Sequence, residues 1–547
     1  MKMSRFKKFN KLGAVVAAAA IGVMSVPMAA EASAIDHRSY TYIYDYWEDV
    51  QDTPNVYDVY GVFTSTELGL DTKLSSPSGL FVDGETIYVC DTGNNRIIVL
   101  EKDEEVGLKV VRIIDSIKYA PGTSTFSGPT DVAVSDDGNI FIADKNNNRI
   151  LKVDQDLNYL MEFGLPNDSS LPADSVFFPN KLVVDTAERV YCIADNINKG
   201  LLKYEADGTF SGFVGATKAA YDWYDYLFKR FATQEQLDRM QNDVPTEYDN
   251  IYMDYEGFIY ACTGKVEPED LDAGTVDAVR RLNLLGNDIL VRNSDIPVYG
   301  DLYWGSAGGY KGPSYFSDVT AMDNDVFVCL DRNRGRLFGY DDQGRMVFAF
   351  GGNGNMDGYF RRPVGIDHIG YDLIVLDSID CSLTYFVPTE FGQDIYAAID
   401  EFDAGEYEAS GESWQRVLAQ DGNYDLAYIG IGRSLLRQEQ YKEAMKYFEI
   451  KYDDDNYSKA FKEYRKEWVQ EHLFITVFVL LLILLIPLSI EKYRDMQIEI
   501  ATSDVFRFPD PEDNMTRAEI KEYHKKQRQE AKEREKAKKQ ARKNNRF

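Results

Sequence analysis

A pattern near residue 80 recurs along the first two thirds of this chain. Pro77-Ser78-Gly79-Leu80-Phe81-Val82-Asp83 is followed by Ile87-Tyr88-Val89-Cys90-Asp91 and then by Asn94-Asn95-Arg96-Ile97. The same order returns as Pro129-Thr130-Asp131-Val132, Ile140-Phe141-Ile142-Ala143-Asp144 and Asn147-Asn148-Arg149-Ile150. Weaker copies begin at Phe178, Asp318 and Arg362, and an eroded one at Asn250, interrupted by an insertion before Val279. Each copy is a set of short apolar-alternating runs separated by Gly, Asn and Asp, the signature of antiparallel strands joined by tight hairpins. Units of this kind cannot bury their faces alone. Stacked radially they form a β-propeller, and six copies predict six blades over residues 35–390. No strand after Pro388 is available to complete the last blade. The run Val56-Tyr57-Asp58-Val59-Tyr60-Gly61-Val62-Phe63 is predicted to fill that place and close the ring, which removes the open sheet edges.

The motif Pro-x-Gly-Leu-x-Val-Asp, Ile-Tyr-Val-x-Asp, Asn-x-Arg-Ile resembles the NHL repeat. The resemblance implies that the Asp closing the second strand and the Asn-Arg of the next turn bond within and between blades. It gives that role to Asp91, Asp144, Asp195, Asp331 and Asp377, with Arg96 and Arg149 as the matching arginines. Lys199-Gly200 and Cys381-Ser382 depart from the pattern.

Two apolar segments bear on location. Lys2, Arg5, Lys7, Lys8 and Lys11 precede a short apolar run, and Ala32-Ser33-Ala34 offers a cleavage site, so residues 1–34 read as an export signal. Residues 473–490 carry no charge and are long enough to cross a bilayer, with Trp468 and Tyr493 flanking them as interfacial aromatics. Together they predict a single-pass protein of the cell membrane, propeller outside and residues 491–547 in the cytoplasm. From 521 to 547 the tail holds twelve Lys and Arg against four Glu, in keeping with that orientation. Thr516-x-x-Glu519 is a capping box opening a charged helix, suited to anionic lipid or a cytoplasmic protein. The formal charge of −30 speaks against nucleic acid as a partner.

After Pro388 the apolar period changes from two to nearly four. Tyr407 and Trp414 are echoed thirty-four positions later by Tyr441 and Phe448, and this span resembles the TPR repeat. A small TPR-like helical domain is therefore expected over 391–470, with Ala427, Gly430 and Gly432 as the small residues between packed helices. A further helical hairpin is expected as an insertion over 219–242, where Tyr221, Trp223, Tyr224 and Tyr226 cluster.

Cys90, Cys192, Cys262 and Cys329 fall in the second strand of four different blades, and Cys381 follows that strand in the sixth; such positions are too far apart for bridging, and the five read as small buried apolar residues. Four histidines are present, and only His368 lies in the propeller, as an expected turn residue. An amidating-lyase-type site needs several His converging on a metal, which this chain does not supply. No cofactor is expected, and a calcium ion held by channel carboxylates is the alternative left open. No nucleophile triad or phosphate loop is recognisable. The reading is a membrane-anchored binding or scaffolding protein rather than an enzyme, serving a membrane or surface protein, a transport assembly, or a surface polysaccharide. The candidate binding residues are Asn94, Asn95, Arg96, Asn147, Asn148, Arg149, Arg332 and Arg334 on one face, and Tyr221, Trp223, Tyr224 and Tyr226. The alternative is a cation-dependent lactonase- or lyase-type enzyme working at the channel mouth.

Overall fold

The structure, a computed structural model, describes residues 41–103, 106–120, 122–169, 171–172, 174–215, 248–264, 266–272, 274, 276–294, 296–304, 310, 312–502 and 515–544. The export signal, the 219–242 insertion with its four aromatics, and the acidic linker at 504–513 lie outside these. Two units are distinguished, dividing after Lys462.

The first unit contains the propeller. Its six innermost strands are Gly79–Asp83, Pro129–Val134, Phe178–Val184, Tyr248–Met253, Phe316–Ala321 and Pro363–Ile369, and each touches the next around a closed ring. Blades 1, 2 and 3 are four-stranded antiparallel sheets in sequence order; blade 4 has three strands among the described residues. Alternating Ile, Val, Leu and Phe from adjacent sheets interdigitate between blades. Ile97, Ile114, Val132 and Leu151, for example, form one buried cluster between blades 1 and 2.

Closure occurs where the sequence places it. Tyr57–Thr64 pairs antiparallel with Ser382–Pro388, Leu383 opposite Phe63, and completes blade 6. One element was not anticipated. Thr41–Tyr44 and Val50–Asp52 pair with each other and extend blade 5 outward to six strands. Tyr42 and Tyr44 anchor this hairpin by donating to the carboxylate of Asp301, at 2.5 and 3.0 Å. Asp301 is fully buried and also pairs with Arg334 and Arg336.

Four helices follow the last blade: α1 (Glu390–Asp403), α2 (Tyr407–Gln420), α3 (Asp425–Arg437) and α4 (Tyr441–Ile450). Thr389 caps α1, its hydroxyl accepting from the Gly392 N–H at 3.2 Å. Consecutive helices pack through glycines: a Cβ on Gly430 would stand 2.2 Å from Trp414 Nε1, and one on Gly432 2.5 Å from Phe448. The helices are fixed to blades 5 and 6. Tyr424 donates to the Val347 carbonyl at 2.7 Å, and the Tyr57 and Tyr396 hydroxyls meet at 2.6 Å.

Helix α5 (Asp454–Thr502) runs 49 residues without a break, about 70 Å at 1.5 Å per residue. The expected boundary between a helical domain ending at 470 and a span starting at 473 thus falls inside one helix, because no Gly interrupts it and Pro487 is its only breaker. It contains a stretch long and apolar enough to cross a membrane, with none of that stretch buried. In the second unit, α6 (Arg517–Asn544) starts at the predicted box: Thr516 N–H and Oγ1 both donate to Glu519 Oε2, at 2.8 and 2.6 Å.

Candidate functional site in the central channel

The repeated Asp and Arg residues lie in the hairpins between the second and third strands of their blades. Asp91 is fully buried and accepts from the Ser75 N–H, Asn94 Nδ2 and Arg96 Nε, at 2.7, 2.8 and 2.7 Å. Asp144 repeats this with Ser127, Asn147 and Arg149. Asp377 does so with main-chain N–H groups of Arg361, Arg362, Ile379 and Asp380 instead, which is how blade 6 manages without the arginine. Blades 1 and 2 are linked by Asn95, whose Oδ1 accepts the Gly128 N–H at 2.7 Å, and by Thr92 and Ser78, whose hydroxyls donate to the Pro129 and Thr130 carbonyls at 2.7 and 3.0 Å. Asn95 and Asn148 adopt positive φ (55° and 57°), the left-handed turn geometry that Asn tolerates.

Asp195 departs from the expected role. Its side chain is 41% exposed and forms an ion pair with Lys145 of blade 2 at 2.6 Å. Arg334 is buried between Asp301 and Asp331, at 3.2 and 3.5 Å. Arg332 stacks on Tyr315 and lies 3.7 Å from Asp249. Seven of the eight candidate residues of this face make bonds or ring contacts within the propeller, while Asn95, Asn147 and Asn148 stay exposed.

The channel is built from positions that the sequence did not single out. Aligned on the inner strands, one position reads Gly79, Asp131, Lys181, Asn250, Asp318 and Gly365. Five of these six sites carry a register shift that turns the strand at that point. Asp131 Oδ2 accepts the Leu182 N–H of blade 3 at 2.9 Å, and Asp318 Oδ2 the Ile366 N–H of blade 6 at 2.7 Å. Two positions on, Asp367 Oδ2 accepts the Val82 N–H of blade 1 at 2.7 Å. Each carboxylate therefore staples its blade to the next. Gly79 and Gly365 serve the same ring by size: a Cβ at Gly79 would be 2.5 Å from the Thr130 carbonyl.

Lys181 crosses this ring. From blade 3 its ammonium donates to the Ser78 carbonyl of blade 1 at 3.2 Å and lies 3.9 Å from Asp131. Burial pulls its pKa down, but Asp131, Asp318 and Asp249 outweigh that and leave it raised, so the amine stays charged. Burial pushes Asp131 up to about 6 and Asp318 up to about 8, against the pull of Lys181. A charged lysine of raised pKa is neither a nucleophile nor a base.

His368 is not in a turn. It sits in the inner strand of blade 6, with Nδ1 2.7 Å from Thr320 Oγ1 and its ring 6.3 Å from Tyr252. Thr320 Oγ1 is also 3.1 Å from Asp367 Oδ1. With Nδ1 engaged, Nε2 is the atom through which this imidazole could exchange a proton. Among the described residues, no group of three or more His, Cys, Asp or Glu side chains is arranged to hold a metal ion. The channel carboxylates do not suit calcium, since Asp131 and Asp318 each accept a main-chain N–H of the next blade and the Lys181 ammonium stands 3.9 Å from Asp131. All five cysteines are free thiols, four of them buried.

Residues 126–153 match the NHL repeat. A probable peptidyl-alpha-hydroxyglycine alpha-amidating lyase of Caenorhabditis elegans is 31% identical over 136 residues, 24% of this chain and 37% of that protein. Peptidyl-glycine alpha-amidating monooxygenase B of Xenopus laevis is 30% identical over 128 residues, 22% of this chain and 14% of that one. The chain thus spans little more than a third of the length of the first of these relatives and less of the second. Among solved structures, a streptogramin B lyase is similar with a TM-score of 0.36 at 12% identity, covering 61% of this chain and all of that one. A virginiamycin B lyase of Staphylococcus aureus gives 0.36 at 11%, covering 60% and 99%.

Proposed function

We propose that this protein is a membrane-anchored, extracytoplasmic binding or scaffolding protein, its propeller carried outside the cell by α5 and its basic tail in the cytoplasm. The observation that carries the reading is that Lys181 and the carboxylates of the inner strands are engaged with other blades, Lys181 with the Ser78 carbonyl and the carboxylates with main-chain N–H groups. Inner-strand groups engaged in this way leave the outer surfaces to do the work. The partner is a membrane or surface protein, for example part of a transport assembly, or a surface polysaccharide. We read α1 to α4 as a TPR-like docking element. Tyr407 and Tyr441 each open a helix, and Trp414 and Phe448 each pack on a glycine of α3. The tail has the charge to lie on anionic lipid or a cytoplasmic partner. Cross-linking intact cells with a membrane-impermeant reagent, then comparing the solubilised full-length protein with a form lacking residues 491–547, tests this. Both forms should capture the same partner; capture by neither overturns the reading.

A second reading is a lyase- or lactonase-type enzyme at the channel mouth, favoured by the similarity to the amidating lyase of C. elegans. In that case His368, oriented by Thr320, is the proton-transfer group. Turnover of an α-hydroxyglycine peptide or a lactone that disappears in His368→Ala would establish it; no turnover by the wild type would remove it.

A further inference from the structure

At the rim of blade 5, two segments distant in sequence bring three aromatic rings together on the surface. Tyr46 and Trp47 stand at the tip of the N-terminal hairpin, and Tyr452 on the turn between α4 and α5, where it adopts a positive φ of 57°. Their centroids are 5.1 Å (Tyr46–Trp47), 5.0 Å (Tyr46–Tyr452) and 5.8 Å (Trp47–Tyr452) apart. All three stay open to solvent, at 39%, 67% and 52% exposure. Burying a Trp and two Tyr is among the cheaper sources of stability, so leaving them together on the outside marks a surface that something else covers.

Beside the triad lies a cavity of about 220 Å³ between the hairpin, blade 5 and helices α3 to α5, with Tyr46 and Tyr452 in its wall. That volume is below the usual range for a small-molecule pocket and on the scale of one long side chain. Its wall carries more carboxylates than cations. Lys451 is paired with Asp425, and Arg345 with Asp453 at 3.4 Å. Asp454 and Asp455 remain exposed, and no hydrogen bond or ion pair to either carboxylate is seen among the described residues. Two acids in the first turn of a helix are ordinary by themselves, since the helix dipole favours them. Three exposed rings next to them are not. Elsewhere this protein satisfies ring faces with its own cations, Arg332 over Tyr315 at 4.3 Å and Arg433 over Phe402 at 4.5 Å. Among the described residues, no Lys or Arg lies over Tyr46, Trp47 or Tyr452.

We propose that the triad and its cavity take up a lysine or arginine side chain from a basic segment of a partner protein. The cation lies against the ring faces and its charge is met by Asp454 and Asp455. This deepens the binding reading above and rests on it.

The test uses the full-length protein in detergent micelles, with binding of a labelled hexa-arginine peptide read by anisotropy beside a neutral hexasaccharide. Trp47→Ala with Tyr452→Ala should weaken peptide binding at least about tenfold. Asp454→Asn with Asp455→Asn should weaken it several-fold. Asp136→Asn with Asp137→Asn in blade 2, the same change in charge, should leave it unaltered. Equal binding by all variants, or tighter binding of the hexasaccharide, overturns the proposal. If the aromatic double variant does not fold, the Asp454/Asp455 variant against its charge control decides. A Trp47→Ala protein that still cross-links to its cellular partner would remove this pocket and leave the scaffolding reading standing.

Discussion

Asp318 Oδ2 accepts the backbone N–H of Ile366 at 2.7 Å, so a buried carboxyl group joins the fifth blade to the sixth. Burial raises this acid to about 8. A carboxyl whose pKa is higher folded than unfolded stabilises most below its unfolded value near 4, and that contribution is lost as the pH rises through the folded value. Asp318→Asn has no such dependence. The melting temperature of the variant minus that of the wild type should therefore grow by at least about 4 °C between pH 5 and pH 8. A difference that is flat across this range, measured by thermal scanning, would show that the acid stays ionised throughout.

The hairpin aspartates separate by burial. Asp91→Ala strands the Ser75 N–H, Asn94 and Arg96 and should cost about 3–5 kcal/mol in chemical denaturation. Asp195→Ala removes only a partly exposed ion pair and should cost about 0–1 kcal/mol. Similar losses at both sites would contradict the division drawn here.

Two glycines in the helical segment should answer oppositely to alanine. At Gly430 a methyl group meets Trp414 Nε1 at 2.2 Å, and Gly430→Ala should destabilise by about 1–3 kcal/mol. At Gly411, inside α2, the nearest foreign atom is Ser434 Cβ at 3.8 Å, and Gly411→Ala should stabilise by about 0.5–1 kcal/mol. Melting curves of the two variants suffice.

Tyr57→Phe removes a hydroxyl that donates to the Tyr371 carbonyl at 2.9 Å and meets the Tyr396 hydroxyl at 2.6 Å, under α1. The loss should be about 1–3 kcal/mol, with faster proteolysis of the bond between Pro388 and α1. Unchanged protease resistance would mean that the helices are held mainly by their apolar contacts.

Repeats and punctuation made the wheel readable before any coordinates. The motif copies marked the blades, Val56 to Phe63 the closing strand, and Thr516 with Glu519 the start of α6. The channel position stayed hidden because four residue types share it among the six blades. Gly79, Asp131, Lys181 and Asn250 share no chemistry, so no motif exposes them, and only superposing the copies on their bulges aligns them. His368 was misplaced because Ile366-Asp367-His368 has a turn-like polar composition, whereas the ring bonds of Asp367 hold it in a strand. Asp195 was misjudged because the motif shows the residue and not the course of its turn, which here leads the side chain outward to Lys145. The Tyr46–Trp47–Tyr452 triad joins residues some four hundred positions apart, which no local pattern encodes.

The pairing of Tyr57–Thr64 with Ser382–Pro388 also sets a timetable. Tyr57 lies opposite Pro388, so during synthesis the strand Tyr57–Thr64 must wait, unpartnered, until nearly the whole wheel has emerged. A chain stopped anywhere before Ser382 keeps two raw edges, the state most prone to stick to its neighbours. The last strand made acts as the latch, and premature termination leaves an aggregation-prone chain rather than a smaller working version.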